Sequence, residues 1–535
     1  MRRLPAALAA VLSGLVVASA PAWPAAVAAP LPAGPPVVST EQGAVRGVQA
    51  GGVDSFLGIR YAAAPVGDLR WAPPQPAAPW EGVAPAEQYG NRCPAAESTN
   101  GPRSETEDCL FVNVQRPAGS TPEDRLPVYV FIHGGGLLNG SSNQADTAEI
   151  VARTGVVGVT MNYRLGALGF LGHPQLTDRQ GESGNYGLMD QQAALRWVQD
   201  NIAGFGGDPA RVTIGGESAG GWSVCSHLVA PGSRDLFAGA MIQSGSCPSR
   251  TQDAADAEGE VVAQAVGCAE LATALACLRD TPVGELIDAP IPVVPPVRDT
   301  PFLPSDPRVA VATGDFARVP VVVGATRDEG RTFMAGSIGW TREQYETWVR
   351  EAFAAEAADD VLSRYPWPAD ADESTAAYLA GAIVTDGGLA SGIGGCPNLA
   401  LTRDLARYVP TWAYEFAART GPGLQPIPGY EWGAGHAAEL AYLFPSFDNG
   451  TPIAPTFDAG EQQLATEMKE YWGAFVQHGD PAVPGQTAWP PFGGDQAVLS
   501  LQPAGRSTVV DATTLAEEHR CAFWDALAPW DALAP

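Results

Sequence analysis

Five short, β-branched or apolar runs constrain this chain more than anything else in it: Val128–Ile132, Val156–Met161, Val212–Ile214, Ala238–Ile242 and Val319–Val323. Several lead into glycine-rich turns, and helical stretches lie between some of them. In Leu188–Ile202 the residues Leu188, Ala194, Leu195, Val198 and Ile202 share one helical face. A strand that is apolar throughout has no side to give to water. Alternated with helices, such strands predict a mostly parallel sheet covered on both faces, an α/β architecture. No Ser/Gly/Pro linker or charge run divides the chain, and the Pro-rich stretch Pro290–Pro307 reads as an excursion from the sheet. One large domain with inserted loops is expected.

Two Gly-Glu-Ser triplets compete for a chemical role. At Ser218 the context is RVTIGG-ESAGG-WSVC, a short strand, Gly-x-Ser-x-Gly, then an apolar helix. That is the setting of a nucleophile elbow, whose tight turn demands small residues two before and two after the serine. Gly216 and Gly220 supply both. The hydroxyl would then project at a helix N-terminus, where the dipole and free N–H groups favour developing negative charge. Ser183 has Asn185 two residues later and no strand before it. Its segment reads as a polar loop ahead of a helix.

A nucleophilic serine needs a base, an orienting acid and an oxyanion hole. In the strand–turn–helix arrangement the chain order is serine, acid, histidine. Of six histidines, His436, His478 and His519 lie far enough downstream. His436 sits in a small-residue loop, Gly433–Ala437, that leaves its imidazole room to meet a serine. His478 reads as a helix C-terminus, and His519, beside Glu517, Glu518 and Arg520, as a solvated ring. The acid is expected where VPVVVGATRDEG ends, and pattern alone leaves Asp328 and Glu329 open. Val128–Ile132 leads into His133-Gly134-Gly135-Gly136, a glycine-rich loop that lets backbone N–H groups approach a carbonyl oxygen. No Gly-Lys-Ser/Thr follows it, so a phosphate cradle lacks support. The histidines are otherwise scattered and HAAEL is not His-Glu-x-x-His, so no metal or organic cofactor is expected.

The first residues carry Arg2 and Arg3, then a stretch rich in Ala, Leu and Val, then Ala26-Val27-Ala28. This predicts a signal peptide over residues 1–28, a mature domain over 29–535 and secretion, with no stable membrane insertion. A net charge of −28 argues against nucleic acid as a partner. Eight cysteines in a secreted chain should mostly pair. Cys93 and Cys109 bracket a short loop, as do Cys268 and Cys277, while spacing leaves Cys225, Cys247, Cys396 and Cys521 open to three connectivities.

Together these residues resemble the type-B carboxylesterase family, which includes cholinesterases and bacterial para-nitrobenzyl esterases. The likeness is carried by FLGIRYAAAPVGDLRWAPPQP (Phe56–Pro76), EDCLFVNV (Glu107–Val114), the long stretch Gly184–Gly221, QSGS (Gln243–Ser246), DEG and HAAELAYLF (His436–Phe444). The resemblance implies an α/β-hydrolase fold and a serine ester hydrolase acting on a small-molecule or lipid-like ester. It makes Ser218 the nucleophile, Glu329 the acid, His436 the base, and Gly135, Gly136 and Ala219 the oxyanion donors. It also implies Cys93–Cys109, Cys268–Cys277 and Cys396–Cys521 disulfides, leaving Cys225 and Cys247 as a fourth pair or two thiols. A related acyl hydrolase (lipase, carbamate, lactone or amide) is the alternative, and a non-catalytic binding protein a more distant one. Two departures bear on substrate: Pro94–Asp108 contains no aromatic residue for cation capture, and Leu137 follows the glycine triplet at the expected pocket mouth. Neither the natural substrate nor the oligomeric state follows from the sequence.

Overall fold

The computed structural model describes residues 34–291, 294–421, 427–447 and 452–527; the expected signal peptide lies outside them. Eleven strands form one sheet. In chain order they are β1 (Val48–Ala50), β2 (Val53–Arg60), β3 (Phe111–Pro117), β4 (Leu126–Ile132), β5 (Val157–Met161), β6 (Gly207–Glu217), β7 (Gly239–Gln243), β8 (Val321–Thr326), β9 (Thr411–Phe416), β10 (Ala497–Leu501) and β11 (Thr508–Asp511). Their spatial order is β11-β10-β9-β8-β7-β6-β4-β5-β3-β2-β1. From β5 through β10 every neighbour pairs in parallel. The edges are antiparallel. This is the α/β-hydrolase fold.

Strand alternation assigns the two faces. Val128, Val130 and Ile132 of β4, with Ile242 of β7 and Val321 and Val323 of β8, belong to one core cluster. Helices α1 (Tyr186–Asn201) and α2 (Ala219–Val229) contribute Leu188, Val198, Val224 and Leu228 to it. The intervening residues Tyr129, Phe131, Met241 and Val322 join a second cluster on the other face. There α3 (Ala459–His478) supplies Met468, Trp472 and Phe475. A period of two along each strand sends neighbouring side chains to opposite faces, which is why these strands are apolar throughout.

The five apolar runs all fall on sheet strands, but β2, β3, β9 and β10 were not among them. Buried polar residues interrupt their pattern: Asp54 in β2, Asn113 and Gln115 in β3, Glu415 in β9 and Ser500 in β10. All eight cysteines pair, as Cys93–Cys109, Cys225–Cys247, Cys268–Cys277 and Cys396–Cys521. His519 is not solvated. It is 7% exposed, with Nδ1 2.8 Å from Asp386 and Nε2 3.5 Å from Glu415. Burial alone would lower its pKa, but those two carboxylates outweigh it and raise it to about 9. Among the described residues no helix is long and apolar enough to cross a membrane.

Candidate active site

The ends of the parallel strands converge on Ser218. β6 ends at Glu217, Ser218 takes φ 58° and ψ −125°, and α2 begins at Ala219. A positive φ is costly for a residue with a side chain. The surrounding glycines make the turn possible. A Cβ on Gly216 would lie 2.4 Å from the Gly220 carbonyl, and one on Gly220 would lie 2.1 Å from the Ile132 carbonyl oxygen. Strand, elbow and helix therefore touch backbone to backbone, and only hydrogen fits between them.

His436 brings the ends of the relay together. Its Nε2 is 2.8 Å from Ser218 Oγ, and its Nδ1 is 2.6 Å from Glu329 Oε2. With Nδ1–H donating to the carboxylate, Nε2 is left to accept the serine proton. Glu329 is fully buried and its Oε1 accepts the Thr326 N–H at 2.8 Å. Asp328 turns elsewhere. It pairs with Arg419 and accepts the Ala434 N–H at 2.9 Å, tethering the loop that carries His436. Burial alone would raise its pKa, but Arg419, Arg331 and the Ala434 N–H hold it below the ordinary carboxylate value.

Gly135 and Gly136 have φ of 105° and 65°, conformations that glycine adopts without strain. Both line a cavity of about 410 Å³ with His133 and Ser218. Ala219 opens α2, where first-turn N–H groups have no intrahelical acceptor. Leu137 does not stand at the mouth. It is fully buried in the first core cluster, and Leu138 takes the cavity wall instead. Ser183 is also fully buried, bonded to the His173 N–H and within reach of Thr177 and Asp256, far from this cavity's lining.

A profile of the carboxylesterase family matches residues 34–524. The chain belongs to this family. Human cocaine esterase is 34% identical over 522 residues, covering 91% of this chain and 89% of its own. Mouse acylcarnitine hydrolase is 33% identical, covering 88% of each chain. Fumonisin B1 esterase of Sphingopyxis macrogoltabida is 35% identical, covering 85% and 84%. The protein is accordingly a carboxylic ester hydrolase, a class that acts on small esters.

This carboxylesterase holds two further acids that the sequence reading passed over. Glu217 Oε1 lies 3.2 Å from His436 Nε2 with no hydrogen-bond partner of its own. Glu439 is fully buried, and its Oε1 sits 3.5 Å from Gln243 Nε2, whose Oε1 accepts from the Trp472 indole at 3.1 Å. Desolvation pushes Glu217 up to about 8 and Glu439 to about 7. Burial would lower His436, but Glu217 and Glu329 outweigh it and hold it near 9. Glu217 and Glu439 therefore hold their protons to higher pH than exposed carboxyls do. The available signals were local: Glu217 precedes the serine, and Glu439 sits three residues after the histidine.

Proposed function

We propose that Ser218 is the nucleophile of this esterase, His436 its base and Glu329 the acid that orients His436. The observation that carries this reading is the continuous relay from Ser218 Oγ through His436 to Glu329, at 2.8 and 2.6 Å. His436 removes the Ser218 proton as Oγ attacks the ester carbonyl. N–H groups of Gly135, Gly136 and Ala219 hold the tetrahedral oxyanion, where one such donor is worth roughly 3–4 kcal/mol. The imidazolium, stabilised by Glu329, gives its proton to the leaving alcohol. Water then attacks the acyl-enzyme by the same route, releasing the carboxylic acid and restoring Ser218.

We further read residues 29–535 as one domain, supported by a single sheet that runs from Val48 to Asp511. Secretion behind a signal peptide over 1–28 is supported by four disulfides, which persist in oxidising compartments. The relatives' names span cocaine, acylcarnitine and fumonisin, so they direct us to carboxylic esters and to no single one. The test is hydrolysis of p-nitrophenyl butyrate by the mature protein and its Ser218→Ala variant. Turnover should fall by at least about 10³-fold. A folded variant that keeps wild-type turnover would remove Ser218 from the mechanism.

A further inference from the structure

The cavity lies on the seam between the two core clusters, and its two walls differ. His436 belongs to the wall continued by Ala437, Leu440 and Phe444, all of the second cluster. Phe131 and Phe444 face each other there with ring centroids 4.6 Å apart, and Phe447 adds a third ring. Other lining residues belong to the first cluster. Trp222 and Ile393 are among them, joined by Ala390 and Ser391.

The chemistry assigns these walls. The leaving alcohol must collect its proton from His436 Nε2, so it lies toward the wall that carries His436. The acyl carbon is bonded to Ser218 Oγ, and its chain extends away from the histidine. Trp222 lines the cavity from the other core cluster, four residues after Ser218 on α2 and 3% exposed.

This wall is braced. Cys225, three residues past Trp222, is tied to Cys247 in the segment that follows β7. In the same segment the Ser246 hydroxyl donates to the Ser391 carbonyl at 2.5 Å. A Cβ on Gly392 would come within 3.0 Å of Ser246 Cβ, so the 390–393 turn has no room to withdraw. Helix, disulfide-anchored segment and turn hold one another in place.

We propose that Trp222 is the specificity-determining residue that closes the acyl side of the cavity, so that this esterase takes short-chain acyl esters of larger, largely apolar alcohols. The proposal rests on the Ser218 mechanism above. The alcohol side is aromatic, and its polar corner consists of the carboxamides Asn100, Asn139 and Gln144, joined by hydrogen bonds of 2.6 and 3.1 Å. The ionisable side chains on the lining are His133, Glu217 and His436. A second cavity of about 310 Å³ shares Leu138 and Asn139 with the first.

The experiment measures kcat/KM for p-nitrophenyl acetate, butyrate, octanoate and palmitate with wild type, Trp222→Phe, Trp222→Ala and Ser218→Ala. Wild type should favour acetate or butyrate over octanoate by at least about tenfold, since misfit methylenes cost that much in a rigid apolar pocket. Removing the indole opens space on the order of the ~150 Å³ that accommodates a benzene. Trp222→Ala should therefore shrink the butyrate-to-octanoate ratio at least about tenfold, with Trp222→Phe in between. Wild type that cleaves octanoate as well as butyrate overturns the proposal and points to the second cavity. So does an unchanged ratio in a Trp222→Ala protein with native circular dichroism. If Trp222→Ala fails to fold, the wild-type series and Trp222→Phe still decide. Hydrolysis that survives Ser218→Ala refutes the underlying mechanism, whereas Ser218-dependent hydrolysis with a flat chain-length profile refutes only the role of Trp222.

Discussion

Replacing Glu217 by Gln should move the acid limb of the pH–rate profile toward lower pH. In the proposed mechanism His436 acts as a base only when neutral, and Glu217, 3.2 Å from Nε2, favours its protonated form. At that distance and an effective dielectric of about 20, two full charges attract by roughly 5 kcal/mol. Only part of this is realised, because burial pushes Glu217 up to about 8 and keeps it largely protonated at neutral pH. A shift of about one pKa unit, ~1.4 kcal/mol, is the part we expect to survive. The direction follows from the raised His436 value: removing a negative neighbour lowers that pKa, so the neutral base persists to lower pH. The plateau should fall by about tenfold, since Glu217 also stabilises the imidazolium formed in the transition state. The assay is kcat/KM for phenyl acetate from about pH 5 to 10, with product quantified by chromatography. Glu439→Gln should move the limb less, Glu439 being the smaller influence on His436. A Glu217→Gln limb that stays in place, or moves to higher pH, would refute the electrostatic coupling.

Two stability changes follow from the same region. Gly216→Ala puts a Cβ 2.4 Å from the Gly220 carbonyl, a clash of backbone with backbone, and should cost about 3 kcal/mol. An unchanged urea midpoint would contradict the close approach. The double variant Cys225→Ser/Cys247→Ser opens a link spanning 22 residues and should lower stability by about 3 kcal/mol in chemical denaturation. It should also weaken the preference for short acyl chains, because the same bond braces the Trp222 wall; full stability with an unaltered profile would refute both.

Much of the central sheet was readable because a strand buried on both faces is apolar at nearly every position, as β4 is and as β5 and β7 are but for Thr160 and Gln243. β3 and β9 escaped because their pattern is interrupted by buried Asn113, Gln115 and Glu415, whose partners lie far away in sequence. Leu137 was expected at the pocket mouth and proved to be core. Its φ of 60° turns it inward, a detail no composition rule carries.

The sequence by itself determined the elbow at Ser218 and the glycine loop after β4. Both depend on steric limits within a few bonded residues, where glycine leaves a direct trace. Pattern left the two adjacent acids open, the resemblance implied Glu329, and the tertiary structure shows Glu329 facing His436. Asp328 and Glu329 differ by one methylene and one position, and Arg419 and the Ala434 N–H draw the first away. Pairing of Cys225 with Cys247, burial of His519 between Asp386 and Glu415, and Trp222 sharing a cavity with Phe131 and Phe444 are likewise tertiary facts. Each depends on segments that only long-range packing brings together, and spacing along a chain holds no measure of that distance.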